Sequence, residues 1–362
     1  DMSENNGIQI WTVPATGLYN ITLAGAGGGR VENDAHGYGL VLDLSYQLVK
    51  GDKYMLLIGQ KGFLGRSNLA FGTEPTRTTF YGTGGVSRPT SSSGGGGTFF
   101  VKGETINSYK KNYETNLNLN SNTVSDFSNN IVAIAGGGSG GVTFDANKII
   151  SNISSVADGS FNLEFKGVDG SGINVTQFTS PNAGDGAIGG IIVDSTDTNA
   201  GGGGGGGGFY SGGFPPGYHI LHWGSEYRTN ITADGAQGFI DGGKGGFLSH
   251  IIDENGNINR GGLGAAQQGG FGGGAAGGDG GSGGGGGYSG GGSDNVKVGS
   301  DGAPLIVNKT IAGGGGSIVN SKVLAYNPTI QSQVTKNNTS GFNNFNGYIK
   351  IQFNPYNKIN IN

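Results

Sequence analysis

The chain has 362 residues, of which 81 are glycine and only 13% are charged, a composition outside the ordinary globular range. No Gly-X-Y period runs through it, which excludes collagen. A net charge of −4 without a basic run, and glycine segments without the repeated arginines of an RGG-type RNA binder, argue against a nucleic-acid partner. Cysteine is absent, so neither disulfides nor thiol chemistry contributes, and no apolar run approaches the ~18–20 residues of a membrane span. The length allows one large or two intimate domains. No leader is visible ahead of Asp1, so a mature product or an excised segment is expected.

Near the start, Ile8 and Ile10 alternate with Gln9, and Tyr19, Ile21 and Leu23 alternate with Asn20 and Thr22. A period of two predicts strands, with Pro14 to Gly17 as the turn between them. Leu40, Leu42, Leu44, Tyr46 and Leu48 predict a longer strand. Lys50-Gly51-Asp52 reads as a turn, and Tyr54, Leu56 and Ile58 as a further strand. Four such strands suggest half of an antiparallel sandwich. Strands are also expected at 98–102 and 131–135, each beside glycines, near 305–312, and at 347–353, where Ile349, Ile351 and Phe353 share a face. Phe161, Leu163 and Phe165 alternate within a polar insertion; the stretches 104–130, 142–183 and 214–235 are polar and read as loops. If the opening and closing strands pair, the glycine-rich chain between them is an insertion. The expected organisation is a β-sandwich of 1–81 plus 340–362, and an insertion of 82–339.

Gly201 to Gly208 form an unbroken run, and a second block extends from Gly269 to Gly292. A helix costs roughly 1 kcal/mol per glycine relative to alanine, and a strand of bare glycines has no face to pack. Polyproline II remains: a threefold helix whose N–H and C=O groups all point outward and can be paired between neighbours. The expected fold class is therefore all-β, a sandwich carrying an inserted layer of packed polyglycine II helices.

Gly7-Ile-Gln-Ile-Trp11, Val13-Pro-Ala-Thr16 and Ala24-Gly-Ala-Gly-Gly28 resemble the start of the glycine-rich ectodomain of the anaplastic lymphoma kinase and leukocyte tyrosine kinase receptors. The resemblance continues through Leu57 to Gly62, Ser93 to Lys102 and Ile134 to Gly138. It is densest at Gly269 to Gly274 and at Gly283 to Gly292, and ends at Gly347-Tyr-Ile-Lys-Ile351. It implies a tumour-necrosis-factor-like jelly roll with the polyglycine II layer between its strands, and an extracellular role in binding protein ligands or glycans. The family's cysteines, its epidermal-growth-factor-like module, its membrane span and its kinase are missing, so receptor signalling is not carried over.

Motif searches point away from an enzyme. G-x-G-x-x-G matches are so frequent that none is informative, and Lys244 is followed by Gly245 rather than the Ser or Thr of a P-loop. Val132-Ala-Ile-Ala135 has Ala135 where a kinase strand needs lysine. His219, His222 and Glu226 lack the spacing of a helical zinc site, and Asp43, Asp52 and Asp194 are scattered singly. No catalytic residue, metal or cofactor is expected.

Binding is expected in the aromatic loop Phe209, Tyr210, Phe214, Tyr218, Trp223 and Tyr227, whose rigid rings suit a sugar or a protein anchor. The alternative is that these rings cap the glycine layer as its apolar packing. Asn20, Asn152, Asn174, Asn230, Asn308, Asn337 and Asn338 open N-x-S/T sequons, candidates for glycosylation that an Asn-, Ser- and Thr-rich composition also generates by chance. The expected function is extracellular recognition or adhesion at a cell or virion surface. The expected partner is a cell-surface protein or glycan, with no direct membrane insertion. A self-assembling building block of a filament or matrix, and the receptor-binding tip of a viral or phage fibre, are the alternatives.

Overall fold

Alternation of apolar and polar residues builds two antiparallel sheets, and helix is almost absent among the described residues. The computed structural model describes residues 3–5, 7–29, 36–63, 90–106, 130–143, 186, 203–213, 235–247, 251–252, 258–259, 268–277, 282–293, 312–320 and 343–355. The strands are β1 (Ser3–Asn5), β2 (Ile8–Thr12), β3 (Gly17–Ala24), β4 (Val41–Leu48), β5 (Lys53–Leu57), β6 (Thr90–Ser91) and β7 (Thr98–Lys102). They continue with β8 (Ile131–Ala135), β9 (Val142–Thr143), β10 (Ile251–Ile252), β11 (Ile258–Asn259), β12 (Ile318–Val319) and β13 (Tyr348–Asn354). One sheet runs β1-β2-β5-β7-β8-β12 and the other β13-β3-β4; β6-β9 and β10-β11 are small pairs.

The three-stranded sheet is amphipathic as the sequence predicts. Tyr19, Ile21 and Leu23 pair with Tyr46, Leu44 and Leu42 on one side and with Phe353, Ile351 and Ile349 on the other. These rows meet Tyr54, Leu56, Phe100 and Val132 of the larger sheet in a shared core. The opposite face carries Asn20, Thr22, Asp43, Ser45, Lys350 and Gln352, where Thr22 donates to Asp43 (2.6 Å) and Ser45 to Asn20 (2.8 Å).

The larger sheet is buried on both faces, which is why β5, β7 and β8 read as continuous apolar runs. Its second face holds Met55, Leu57, Phe99 and Val101. A bulge between Phe100 and Val101 shifts the register of β8, so Ile131 and Ile134, an odd number of residues apart, reach that same face.

Both turns fall where the sequence places them, and the tertiary structure decides which strands pair across them. Pro14 to Gly17 does not close a hairpin: it carries the chain from β2 in one sheet to β3 in the other, and residues 49–52 do the same between β4 and β5. The two crossings brace each other, with Val13 N donating to Asp52 O (2.9 Å) and Gly51 N to Val13 O (3.0 Å). The closing strand pairs with β3 rather than with β2, because both edges of β2 are already taken by β1 and β5. Of the strand expected near 305–312 only Ala312 lies among the described residues, and a short strand follows the glycines at 318–319; the expected alternation at Phe161, Leu163 and Phe165 lies outside the described residues.

Glycine segments begin where the strands stop. The registers put the last residues of β3, β5 and β8 at the same end as the first residues of β4, β7, β12 and β13. At that end 25–29, 36–40, 59–63, 92–97, 136–141, 312–316 and 343–347 bond to one another and to 203–208, 243–246, 269–276 and 282–292. The donors step with a period of three. Gly283 N bonds Ser92 O, Gly284 N bonds Gly204 O and Gly285 N bonds Gly313 O; Gly286 then returns to Gly95 and Gly287 to Gly207. In 92–97, Ser92 and Gly95 donate to Gly141 and Gly138, Ser93 and Gly96 to Phe63 and Gln60, and Gly94 and Gly97 to Ala275 and Gly272. A β-ladder alternates between two sides and cannot produce this step. Side chains are excluded by contact: a Cβ on Gly94, Gly137, Gly206 or Gly285 would fall within 3.0 Å of backbone in Gly284, Gly95, Gly285 or Gly137.

Candidate functional site

The first two members of the expected aromatic site are core residues. Phe209 is 0% exposed and Tyr210 5%. The Phe209 ring stacks on Phe239 (5.1 Å between centroids, 12° between planes), and Phe239 stacks on Phe99 of β7 (4.9 Å, 22°). Tyr210 meets Phe209 edge-on at 4.9 Å, and Tyr288 from the second glycine block approaches both rings at 6.4 Å. These rings press the glycine segments onto the second face of the six-stranded sheet, the packing role weighed for them from sequence; neither is placed at a surface to meet a ligand. Phe214, Tyr218, Trp223 and Tyr227 lie outside the described residues, as do His219, His222 and Glu226.

Of the sequon asparagines, Asn20 is described and is exposed in the middle of β3, its Oδ1 accepting from Ser45 Oγ. Asn152, Asn174, Asn230, Asn308, Asn337 and Asn338 lie outside the described residues. Among the described residues there is no cluster of three His, Asp or Glu side chains suited to a metal ion, and no helix long and apolar enough to cross a membrane.

A cleft of about 640 Å³ opens where the strand ends meet the glycine segments. The turn after β5 contributes Gln60, the residue ahead of Gly347 contributes Asn346, and the glycine segments contribute Lys244, Phe247, Gln268 and Phe271. Its wall also includes the backbone of Gly7, Gly59 and Gly245. Gly7 sits at φ 85°, a left-handed conformation that glycine adopts without strain, and a Cβ there would approach Phe271 Cζ to 2.9 Å. Phe271 also packs against the second core cluster, which anchors it; Phe247 is 46% exposed.

The polar wall is held by backbone bonds: Gln60 N donates to Phe271 O (2.7 Å), Gly59 N to Thr98 Oγ1 (3.0 Å) and Gly347 N to Gly59 O (2.7 Å). Asn346 Oδ1 accepts from Lys61 N (2.8 Å), which orients its carboxamide. Sequence reading passed over this cleft because its residues are scattered from Gly7 to Asn346 and form no motif; the one available signal was an isolated lysine among glycines at 243–246.

Among the described residues the strongest titration shift is in the core. Burial, then the neighbouring Tyr46 and the Asp52 carboxylate, push the Tyr54 phenol well above its usual range. This keeps the ring neutral against Phe100, which stacks on it at 4.9 Å. No protein-family model matches this chain, and no curated protein is similar to it.

Proposed function

We propose that this chain is a non-enzymatic recognition domain of a cell or virion surface. In this reading a tumour-necrosis-factor-like jelly roll continues into a layer of packed polyglycine II helices, and the polar stretches between glycine segments meet a cell-surface protein or glycan. The observation that carries it is the three-residue step of hydrogen bonds between glycine segments. Three residues per turn with outward-facing donors and acceptors is the geometry of the polyproline II helix. A frame held largely by backbone hydrogen bonds places few demands on the side chains that leave it, so the sequences joining its segments are free to vary with the ligand. The resemblance of the opening motif to the receptor ectodomains favours an extracellular setting, with which the exposed sequon at Asn20 is compatible.

Crosslinking mass spectrometry on material from the native source tests the reading. Crosslinks from 214–235 to a separate surface protein, or a glycan trapped there, are the expected result. Crosslinks mainly between copies of this chain, or to one abundant filament protein, would overturn it in favour of a structural building block.

A further inference from the structure

We propose that the cleft between the strand ends and the glycine segments binds one saccharide residue bearing a carboxylate, a uronate-type sugar. The proposal rests on the recognition reading and deepens it by naming a ligand class and a place.

The chemistry of the wall selects the ligand. Gln60 and Gln268 each present a carboxamide, which donates and accepts at once, as sugar hydroxyls do, and Asn346, whose Oδ1 accepts from Lys61 N, adds its Nδ2 as a donor. Phe247 and Phe271 offer aromatic surface for the apolar C–H face of a pyranose. Among the described residues Lys244 is the one charged side chain in the wall, and it makes no ion pair with them. A single ammonium with no ion-pair partner among the described residues suits one negative charge. The volume of about 640 Å³ lies inside the roughly 300–1,000 Å³ range of small-ligand pockets.

Other ligand classes fit less well. A phosphate cradle needs converging backbone N–H groups, but Gly59 N and Gln60 N already donate to Thr98 Oγ1 and Phe271 O. Strand addition by a peptide needs open backbone acceptors as well, and Gly59 O and Gln60 O already accept from Gly347 N and Gly96 N. Along the Gly59–Gln60 wall the side chains are therefore what is on offer, and with those of Lys244, Phe247, Gln268 and Phe271 they suit a carbohydrate.

The test uses the full chain and two probes, methyl β-glucuronide and methyl β-glucoside, followed by calorimetry and by NMR signals of the phenylalanine rings. The glucuronide is expected to bind with a Kd on the order of 1 mM, and the glucoside about tenfold more weakly. Lys244→Gln, exposed and outside the core, is expected to keep the wild-type melting temperature and to reduce glucuronide affinity to that of the glucoside. Gln268→Ala is expected to weaken both probes. Binding of neither sugar, or equal glucuronide binding by wild type and Lys244→Gln, overturns the proposal. A glycan array separates its failure from that of the recognition reading. An acidic glycan retained equally by both variants overturns the cleft while leaving recognition intact; no glycan retained, together with crosslinks between copies only, overturns both.

Discussion

At single residues, glycine acts here by what it lacks. Gly285→Ala would push a methyl group into the backbone of Gly137, which no rotamer change relieves. A loss of about 3 kcal/mol or more is expected in chemical denaturation, at the upper end of overpacking effects. Gly51→Ala supplies the control: nothing lies within 4 Å of its Cβ, and only the left-handed φ of 89° is strained, for roughly 1–2 kcal/mol. Equal losses at the two positions would rule out close packing of the glycine segments. Thr98 shows the complementary role of a side chain, because its Oγ1 donates to Ala24 O (2.6 Å) and accepts from Gly59 N where strand gives way to glycine. Thr98→Val keeps the shape and is expected to cost about 1–3 kcal/mol through two buried groups left unpaired. The phenol of Tyr54 sets an alkaline limit. Its folded pKa is raised, so its contribution is complete below the unfolded value of about 10 and is lost as pH rises from there through the folded value. Tyr54→Phe is expected to flatten the fall in stability measured between about pH 9 and 11.

Among elements, the turn around Phe239 is the fastener between sheet and glycine segments. The 3-10 turn Phe239–Asp241 places its ring between Phe99 of β7 and Phe209 at the end of the octaglycine run. Phe239→Ala is expected to cost about 3–5 kcal/mol, and hydrogen exchange should accelerate first in 203–213 while β3 and β4 remain protected. Uniform acceleration through both sheets would show instead that the segments and the sheets open as one unit. The closing strand has a different role, since β13 covers one edge of β3 and brings Ile349 and Ile351 against the shared core.

For the whole molecule, two kinds of cohesion meet at one end of the sheets. The two apolar clusters hold the strands, whereas the glycine segments are joined by backbone hydrogen bonds with few apolar side chains between them. Polar groups exposed on unfolding lower the heat-capacity change that apolar groups raise. The calorimetric ΔCp is therefore expected to fall below the usual ~12–15 cal/mol/K per residue. A value at or above that range would contradict a hydrogen-bonded glycine framework.

The positions of the strands at 8–12, 17–24, 41–48, 53–57, 98–102, 131–135 and 348–354 were readable in the sequence, because a period of two is a local property of which side chains are apolar. Glycine content alone also argued against helix and ladder for the long runs. The sequence could not say which edge meets which: apolar alternation selects a face, and β3 was equally suited to pair with β2 across a short turn or with β13 from more than 300 residues away. Backbone donors and acceptors are identical at every glycine, so the partners of Gly285 or Gly95 carry no side-chain signal. The burial of Phe209 and Tyr210, and the cleft shared by Gln60, Lys244, Gln268 and Asn346, likewise arose only when distant segments were brought to one end of the sheets. Tertiary packing decided them, since proximity across the chain is set by which hydrogen-bonded and apolar surfaces find one another and not by any single stretch.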